Sequence, residues 1–521
     1  LYWVAISMSK TIIIIGAGLA GLSAALQAAE NGCNVKLVSS LPSERAQSVM
    51  AEGGINAALN TKDENDSPEE HFTDTIKAAC GLADPNAVWG MTQAAPELVH
   101  WLLKLGVKFN MSGYDDVDLR NFGGQKKKRT AFAQSDTGKQ IMTAMIDAVR
   151  RKEASGMVER FSHHSFLTLR LCDNICCGCV IRDEYSQETV ELPGDAVIVA
   201  TGGMHGLFGN TTGSLSNTGE VTAELFRLGV PLANGEMIQY HPTTVKCGGK
   251  RMLISEAARG EGGRLFAMKD GKQWYFMEEK YPELGNLMPR DITAREIWKV
   301  SHESEVFLDM TEISDEIISN KLSGLADDCM TYLHKDIRKE PVSVLPGIHY
   351  FMGGILVDEQ HRTPIQNLYA AGECCAQYHG ANRLGGNSLL GALYGGRVAA
   401  KSACEQADVV DLSCATQIDF PPASQISEIK QLNKVMQETM GVVRNENTLL
   451  NGIQTVQALT GNLPLLGMAV LKSALARKES RGAHWREDYP KSNDNDYLKT
   501  TVARFDGKQI QISFVPVPER R

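Results

Sequence analysis

The hydrophobic pattern organises the first forty residues. Thr11–Ala29 runs nineteen positions without a charge, long enough to imitate a membrane span. Its interior reads otherwise. Ile12–Ile15 is an unbroken β-branched run, which suits a parallel strand buried on both faces. Glycines follow at 16, 18 and 21, then an Ala-rich helical stretch, Ser23–Glu30, then a second apolar run, Val35–Val38. The order this predicts is strand, turn, helix, strand. Two further buried strands are predicted at Asp195–Thr201 and Asn367–Ala371, each running into glycine. Thr168–Ile181 reads as a hairpin turning at Asp173-Asn174. Val502–Val517 alternates around Asp506-Gly507 as a second hairpin. Residues 405–480 carry helical spacing, as in Ile426, Ile429, Leu432, Val435 and Met436.

Gly16-Ala17-Gly18-Leu19-Ala20-Gly21 stands between the first predicted strand and helix, a GxGxxG turn inside a βαβ unit. The first Gly permits the tight turn, and the second lets a pyrophosphate approach the backbone. The third lets the helix pack on the strand, so that the helix N-terminus faces the phosphates. The motif alone is weak; between two strands it is strong. The second strand ends in Ser39-Ser40, where such folds place an acid for the ribose hydroxyls. Ala200-Thr201-Gly202-Gly203 and Tyr369-Ala370-Ala371-Gly372-Glu373 resemble the ATGG and YAAGE elements of FAD-binding flavoproteins. The expected fold class is α/β. A discontinuous Rossmann-like FAD-binding domain, residues 8–237 and 346–404, carries an inserted α+β capping domain, 238–345. A helical domain follows over 405–490, then a C-terminal extension, 491–521, expected as the second hairpin.

Composition changes the picture little. Lys plus Arg is 53 against 62 Asp plus Glu, a net charge of −9, which argues against a nucleic-acid-binding protein. Apolar residues at 43% and charged ones at 22% describe an ordinary globular chain. Twelve Cys are too few and too irregular for a disulfide scaffold, so thiols in a reducing compartment are expected. The dense group Cys172, Cys176, Cys177 and Cys179 lacks metal-ligand spacing, and no metal site is expected. Leu1–Ser7 before Met8 are too short for a signal peptide. A cytoplasmic protein without a transmembrane segment is the expectation.

Six motifs occur in order: Arg120–Gln125, His241-Pro242-Thr243, Ser255–Gly263, Pro289-Arg290-Asp291, His349–Gly354 and His379–Leu389. With Arg481-Gly482-Ala483-His484, they make the chain resemble the flavoprotein subunit of succinate dehydrogenase and fumarate reductase, from about residue 9 to residue 490. The resemblance implies interconversion of fumarate and succinate by hydride transfer at FAD. It implies that Arg290 delivers the proton, relayed through Glu256 and Arg259. His241, Ser255, His349 and Arg383 would hold the substrate, with Phe122 as an apolar wall. A small dianion in a dry pocket needs fixed cations and donors at both ends, and these residue types supply them. FAD is expected on Gly16, Gly18, Gly21, Ser39, Gln47, Ser48, Gly53, Gly54, Ala200, Thr201, Gly202, Glu373, Ser388 and Leu389. The resemblance further implies an iron–sulfur partner subunit of a membrane-associated complex, which would hold the chain at the inner face of the membrane.

The chain departs from the pattern at one position. In the family's complexes a His before the Gly-Gly loop is bonded to the flavin. Here Gln47 stands there, in Arg45–Gly54, and no His precedes His71. Non-covalent FAD and a bias to fumarate reduction are therefore expected. L-Aspartate oxidase, which shares the fold, is the alternative. It is expected to carry a Glu beside the Gly-Gly of the 120s to pair a substrate ammonium, where this chain has the neutral Gln125. A non-catalytic flavoprotein would lack Arg290, Arg383 or His349, and all three are present.

Overall fold

The computed structural model describes residues 9–113, 116–408, 418, 420 and 425–521. Leu1–Ser7 and part of the expected 405–490 region lie outside the described residues. Five strands form one parallel sheet: β1 (Thr11–Ile15), β2 (Asn34–Ser39), β3 (Val158–Ser162), β4 (Ala196–Val199) and β5 (Leu368–Ala370). Their spatial order is β3-β2-β1-β4-β5. The strand order reverses beside β1, which leaves a crevice at the carboxyl ends of β1 and β4.

The unbroken Ile run follows from burial on both faces. Ile12 and Ile14 pack into a helical layer with Leu22, Leu26 and Leu390. Ile13 and Ile15 pack on the opposite side with Ile181 and Leu192 of an antiparallel sheet. Neither face meets water, so the alternation of side-chain direction leaves no alternation of polarity. Helix α1 (Leu19–Glu30) begins four residues before the predicted start. Gly18, extended at φ −80° and ψ −170°, is its N-cap, so the rest of the glycine motif enters the first turn.

The strands His164–Cys172 and Ile175–Asp183 form the first expected hairpin. Asp173 and Asn174 at its turn hold φ of 48° and 65°, a conformation these residue types tolerate. Among the described residues ten cysteines are free thiols, whereas Cys172 is disulfide-bonded, which corrects the expectation of thiols throughout.

Two antiparallel sheets lie between β4 and β5 in the chain, one of them completed by a strand from the segment that follows the insertion. One joins Ile238–Cys247, Lys250–Leu253 and Leu345–Phe351; the other joins Arg264–Lys269, Lys272–Trp274, Val306–Asp309 and Val342–Ser343. Leu265, Ile297, Leu308 and Ile318 form a separate core beneath them. The helices Ile426–Thr439, Glu446–Val456 and Asn462–Ala476 pack through Leu432, Leu449 and Leu466 onto Leu207, Phe208 and Phe226. The last strands, Lys499–Phe505 and Ile510–Pro516, form the second hairpin, which extends a sheet by pairing with Leu232–Ala233. Among the described residues no helix is long and apolar enough to cross a membrane.

Candidate active site

A cavity of about 720 Å³ opens at the carboxyl ends of β1 and β4 and reaches into the insertion. Its first end is built by glycines of two kinds. Gly16 sits at φ 110°, and a Cβ there would lie 2.3 Å from the Ala200 carbonyl oxygen. A Cβ on Gly21 would lie 1.8 Å from the Gly16 oxygen. The protein itself demands both. Gly18 is different: the nearest atom to an added Cβ is Ser48 Oγ, at 3.7 Å, and the residue faces the cavity. A bare glycine facing open space at a helix N-terminus is a cradle for phosphate. Ser48 Oγ accepts the Leu19 N–H at 3.3 Å and ties the 47–50 turn to α1. Ser39 lines the cavity at the end of β2, its Oγ buried and without a partner among the described residues. Helix α2 (Asn387–Gln406) directs its positive N-terminal end, at Ser388 and Leu389, to the same cavity. Gln47, Gly53, Gly54, Ala200, Thr201, Gly202 and Glu373 complete this wall. Burial pushes Glu373 up to about 7 while its carboxyl accepts the Phe351 N–H at 3.1 Å. The set fits FAD: a phosphate cradle, an unpartnered hydroxyl at the ribose position, and a second helix N-terminus. Only Gly21 lies off the wall, in the helix–strand contact.

The second end is charged. Arg290 starts the helix Arg290–Val300 and donates Nε and Nη2 to Glu256 Oε2 at 2.7 and 2.6 Å. Glu256 Oε1 accepts the Gly123 N–H at 2.9 Å and lies 3.7 Å from Arg259 Nη2. Burial alone would raise the Glu256 carboxyl, but Arg290 and Arg259 outweigh it and hold the group below its ordinary value. Arg259 stands behind Glu256, off the cavity wall, with Nη1 donating to the Asn286 carbonyl at 2.6 Å. Arg383 lies over the Tyr350 ring, 4.3 Å from its centroid. No ion pair holds it among the described residues, and its buried Nε has no hydrogen-bond partner there. Burial, with Arg290 nearby, lowers it to about 9, which leaves it cationic at neutral pH. His241 and His349 meet edge to face at 5.1 Å. Burial, then Arg290, holds both well below the ordinary imidazole value, so both are neutral. Each neutral ring offers one N–H. Nδ1 of His349 pairs with Thr212 Oγ1 at 2.8 Å, and Nδ1 of His241 accepts the Thr243 N–H at 3.3 Å, which leaves the ring's one hydrogen on Nε2. Ser255 Oγ caps the helix Glu256–Gly260 by accepting the Ala257 N–H and stands within hydrogen-bond reach of the Glu52 carboxyl. Phe122 lies between the two ends, packed so close to Gly53 that a Cβ there would meet its ring at 2.9 Å.

Residues 11–389 match the FAD binding domain family, and residues 459–520 match the family described as Fumarate reductase flavoprotein C-term. The succinate dehydrogenase flavoprotein subunit of Bacillus subtilis is 38% identical, with 98% of each chain covered. The chain belongs to the succinate dehydrogenase and fumarate reductase flavoprotein family. The 8-methylmenaquinol:fumarate reductase flavoprotein subunit of Wolinella succinogenes is 32% identical over 98% of this chain and 92% of its own. The FrdA chain of an E. coli quinol fumarate reductase mutant superposes with a TM-score of 0.88 at 27% identity, covering 98% of this chain and 97% of that one.

The structure brings the expected catalytic, substrate and cofactor residues of this flavoprotein around one cavity, apart from Gly21 and Arg259 just behind its wall. Gln125 requires a correction. It is buried outside the cavity, with Nε2 donating to Asn56 Oδ1 at 2.9 Å and to the Gly385 carbonyl at 3.0 Å. Its Oε1 accepts the Phe122 N–H at 3.3 Å. The side chain buttresses Phe122 and does not face a substrate, so its neutrality says nothing direct about substrate charge. Glu52, Thr212, Tyr350 and Gln239 went unnoticed in the sequence. Burial lifts Glu52 to about 8 where it lines the cavity beside Ser255. An acid just before Gly53-Gly54 was its only signal. Gln239 carried a strand signal, two residues before His241 and hence on the same face.

Proposed function

We propose that this flavoprotein interconverts fumarate and succinate and is biased to fumarate reduction. The surplus of positive charge at the buried end of the cavity carries this reading. Arg290, Arg259 and Arg383 are cations against one ionised carboxylate, Glu256, while His241 and His349 are neutral and Glu52 holds its proton. Two uncompensated charges match a dicarboxylate, as burial of ions requires. L-Aspartate oxidase is disfavoured, because Glu256 is already held by Arg290 and Arg259 and is not free to pair an ammonium.

Arg383 grips one carboxylate as a planar fork, assisted by His349. His241 and Ser255 donate to the substrate's other oxygens, and Phe122 excludes water. Bound FAD supplies or accepts the hydride. Polarising one carboxylate makes the far alkene carbon electrophilic, and the neighbouring carbon then takes a proton from Arg290. A guanidinium is ordinarily a poor acid. It turns over only where its proton is returned, and Glu256 at 2.6 Å, backed by Arg259, is placed to return it.

The FAD is held without a covalent bond, since the Gln47 amide offers no linking nitrogen and its Oε1 instead accepts the Ser214 N–H at 2.6 Å. Family experience ties the covalent bond to a higher flavin potential, which supports the reductive bias. An iron–sulfur subunit of a membrane-associated complex is the proposed electron partner. It would hold this chain peripherally at the cytoplasmic face.

The test is turnover of purified, FAD-loaded protein. Faster fumarate reduction by a reduced dye than succinate oxidation by an oxidised one is expected, with no aspartate-dependent peroxide. Peroxide from aspartate without fumarate turnover overturns the reading, and flavin retained on the chain in SDS overturns the non-covalent attachment.

A further inference from the structure

We propose that Gln239 is a positioning residue for proton delivery, working through a hydrogen-bonded ring that is complete only while the insertion is closed on the FAD-binding domain. The inference rests on the reading of Arg290 as proton donor and deepens it. Gln239 is fully buried on the strand Ile238–Cys247. Its Oε1 accepts from Arg290 Nη1 at 3.1 Å. Its Nε2 donates to the Arg383 carbonyl and to Asn382 Oδ1, both at 2.9 Å. Asn382 Nδ2 donates to Asp291 Oδ1 at 3.0 Å. Asp291 follows Arg290 in the chain, so the bonds close on themselves. The amide orientations are forced, because an arginine only donates and a backbone carbonyl only accepts.

Glu256 holds Nε and Nη2 of the Arg290 guanidinium, and Gln239 holds it from Nη1. Three of the five N–H groups are thereby committed and the plane is fixed, leaving two for the substrate. The same Gln239 amide grips the backbone of Arg383, which clamps the carboxylate. One side chain therefore sets the distance between the acid and the clamp. Arg290 and Asp291 belong to the insertion, whereas Asn382 and Arg383 follow β5. Movement of the insertion away from the FAD-binding domain breaks the ring and releases the acid from its aim.

The test is Gln239→Met, which keeps length and burial but makes none of these bonds. A misplacement of about 1 Å costs on the order of 10²-fold in rate. The kcat for fumarate reduction should fall by about that factor with KM changed less than about threefold, the pattern of a group acting in the transition state. The solvent isotope effect on kcat should rise as proton transfer becomes limiting. Asn382→Leu should show the same signature, and the double variant should be no slower than the slower single one, since one ring is broken only once. Gln239→Glu keeps the acceptor but adds charge, and should move the pH–rate profile to higher pH. Each variant is first checked for FAD stoichiometry and melting temperature, and Asn382→Leu and Gln239→Glu carry the test if Gln239→Met does not fold. Wild-type kcat and isotope effect in these variants, or a large KM rise with kcat intact, overturn the positioning role. Arg290→Gln separates the two readings: if it retains turnover, the proton-donor assignment fails first.

Discussion

Replacing Gly18 by alanine separates cofactor binding from folding. In the structure the added methyl lies 3.7 Å from its nearest neighbour, Ser48 Oγ, and Gly18 has no left-handed conformation to lose. The apoprotein should therefore melt within about 1 °C of wild type. FAD should suffer, because the methyl stands where the pyrophosphate approaches the backbone. Losing two charge-assisted hydrogen bonds at about 1.5 kcal/mol each is about 3 kcal/mol, or roughly 10²-fold in Kd. Gly16→Ala is the contrast. It places a side chain at φ 110° and 2.3 Å from the Ala200 oxygen. Strain of this kind costs about 3 kcal/mol or more, which lowers the melting temperature of a unit of nearly 300 residues by roughly 5 °C. The assays are thermal melting of apoprotein and FAD titration followed by flavin fluorescence. Wild-type FAD affinity in Gly18→Ala would refute the cradle, and an equal loss of stability in both variants would refute the distinction between the two glycines.

Three further outcomes are expected. Arg383→Lys replaces a fork by a point charge; at about 2 kcal/mol the KM for fumarate should rise roughly 30-fold, and an unchanged KM in steady-state assays would remove Arg383 from the clamp. Glu256→Gln leaves the buried Arg290 and Arg259 without their anion. Fumarate turnover should be lost and the melting temperature should fall, since breaking a buried pair costs about 3–5 kcal/mol; normal turnover would disprove the relay. The last concerns acid. Burial first holds His71 at about 3, His205 and His361 at about 4, and His241, His349, His379 and His484 well below their ordinary value. The unfolded chain takes up these protons below pH ~6.5 while the fold refuses them, so stability present above that pH is lost as pH falls, by up to about 1.4 kcal/mol per unit for each group. Glu52 and Glu373, raised to about 8 and about 7, act in the opposite sense and weaken the fold as pH rises through those values. Denaturant midpoints measured from pH 8 to 5 should show the histidine loss below 6.5, and a flat curve there would contradict it.

The parallel sheet was legible because burial on both faces writes itself as an uninterrupted apolar run, as in Ile12–Ile15. The hairpins were legible because Asp173-Asn174 and Asp506-Gly507 are chemically suited to tight turns. The start of α1 was misread because glycine signals a turn in sequence, whereas here Gly18 caps a helix that Gly21 helps to pack. Pairing of Leu232 with Ala503 had no local signal at all, since non-local register depends on how separate elements dock. The site divides in the same way. Charged residues stood out because a buried Arg or Glu needs a reason, and their motifs ran in order. The amides did not stand out, since an Asn or Gln shows its role only through its partners. Gln125 was read as standing where an aspartate oxidase would pair an ammonium and instead supports Phe122, while Gln239 was passed over and joins two arginines.

Net charge was the least informative quantity for the chemistry, and the structure shows why. The chain carries −9 overall, yet the buried end of its cavity holds two uncompensated positive charges. Neither half of the sequence contains that surplus alone. Arg259 and Arg290 come from the insertion, balanced in part by Glu256, and Arg383 arrives from the segment after β5. In low dielectric, like charges at such proximity repel strongly unless an anion joins them. On the proposed reading, the insertion is expected to close most favourably over a dianion, which would join substrate binding to assembly of the Gln239 hydrogen-bonded ring.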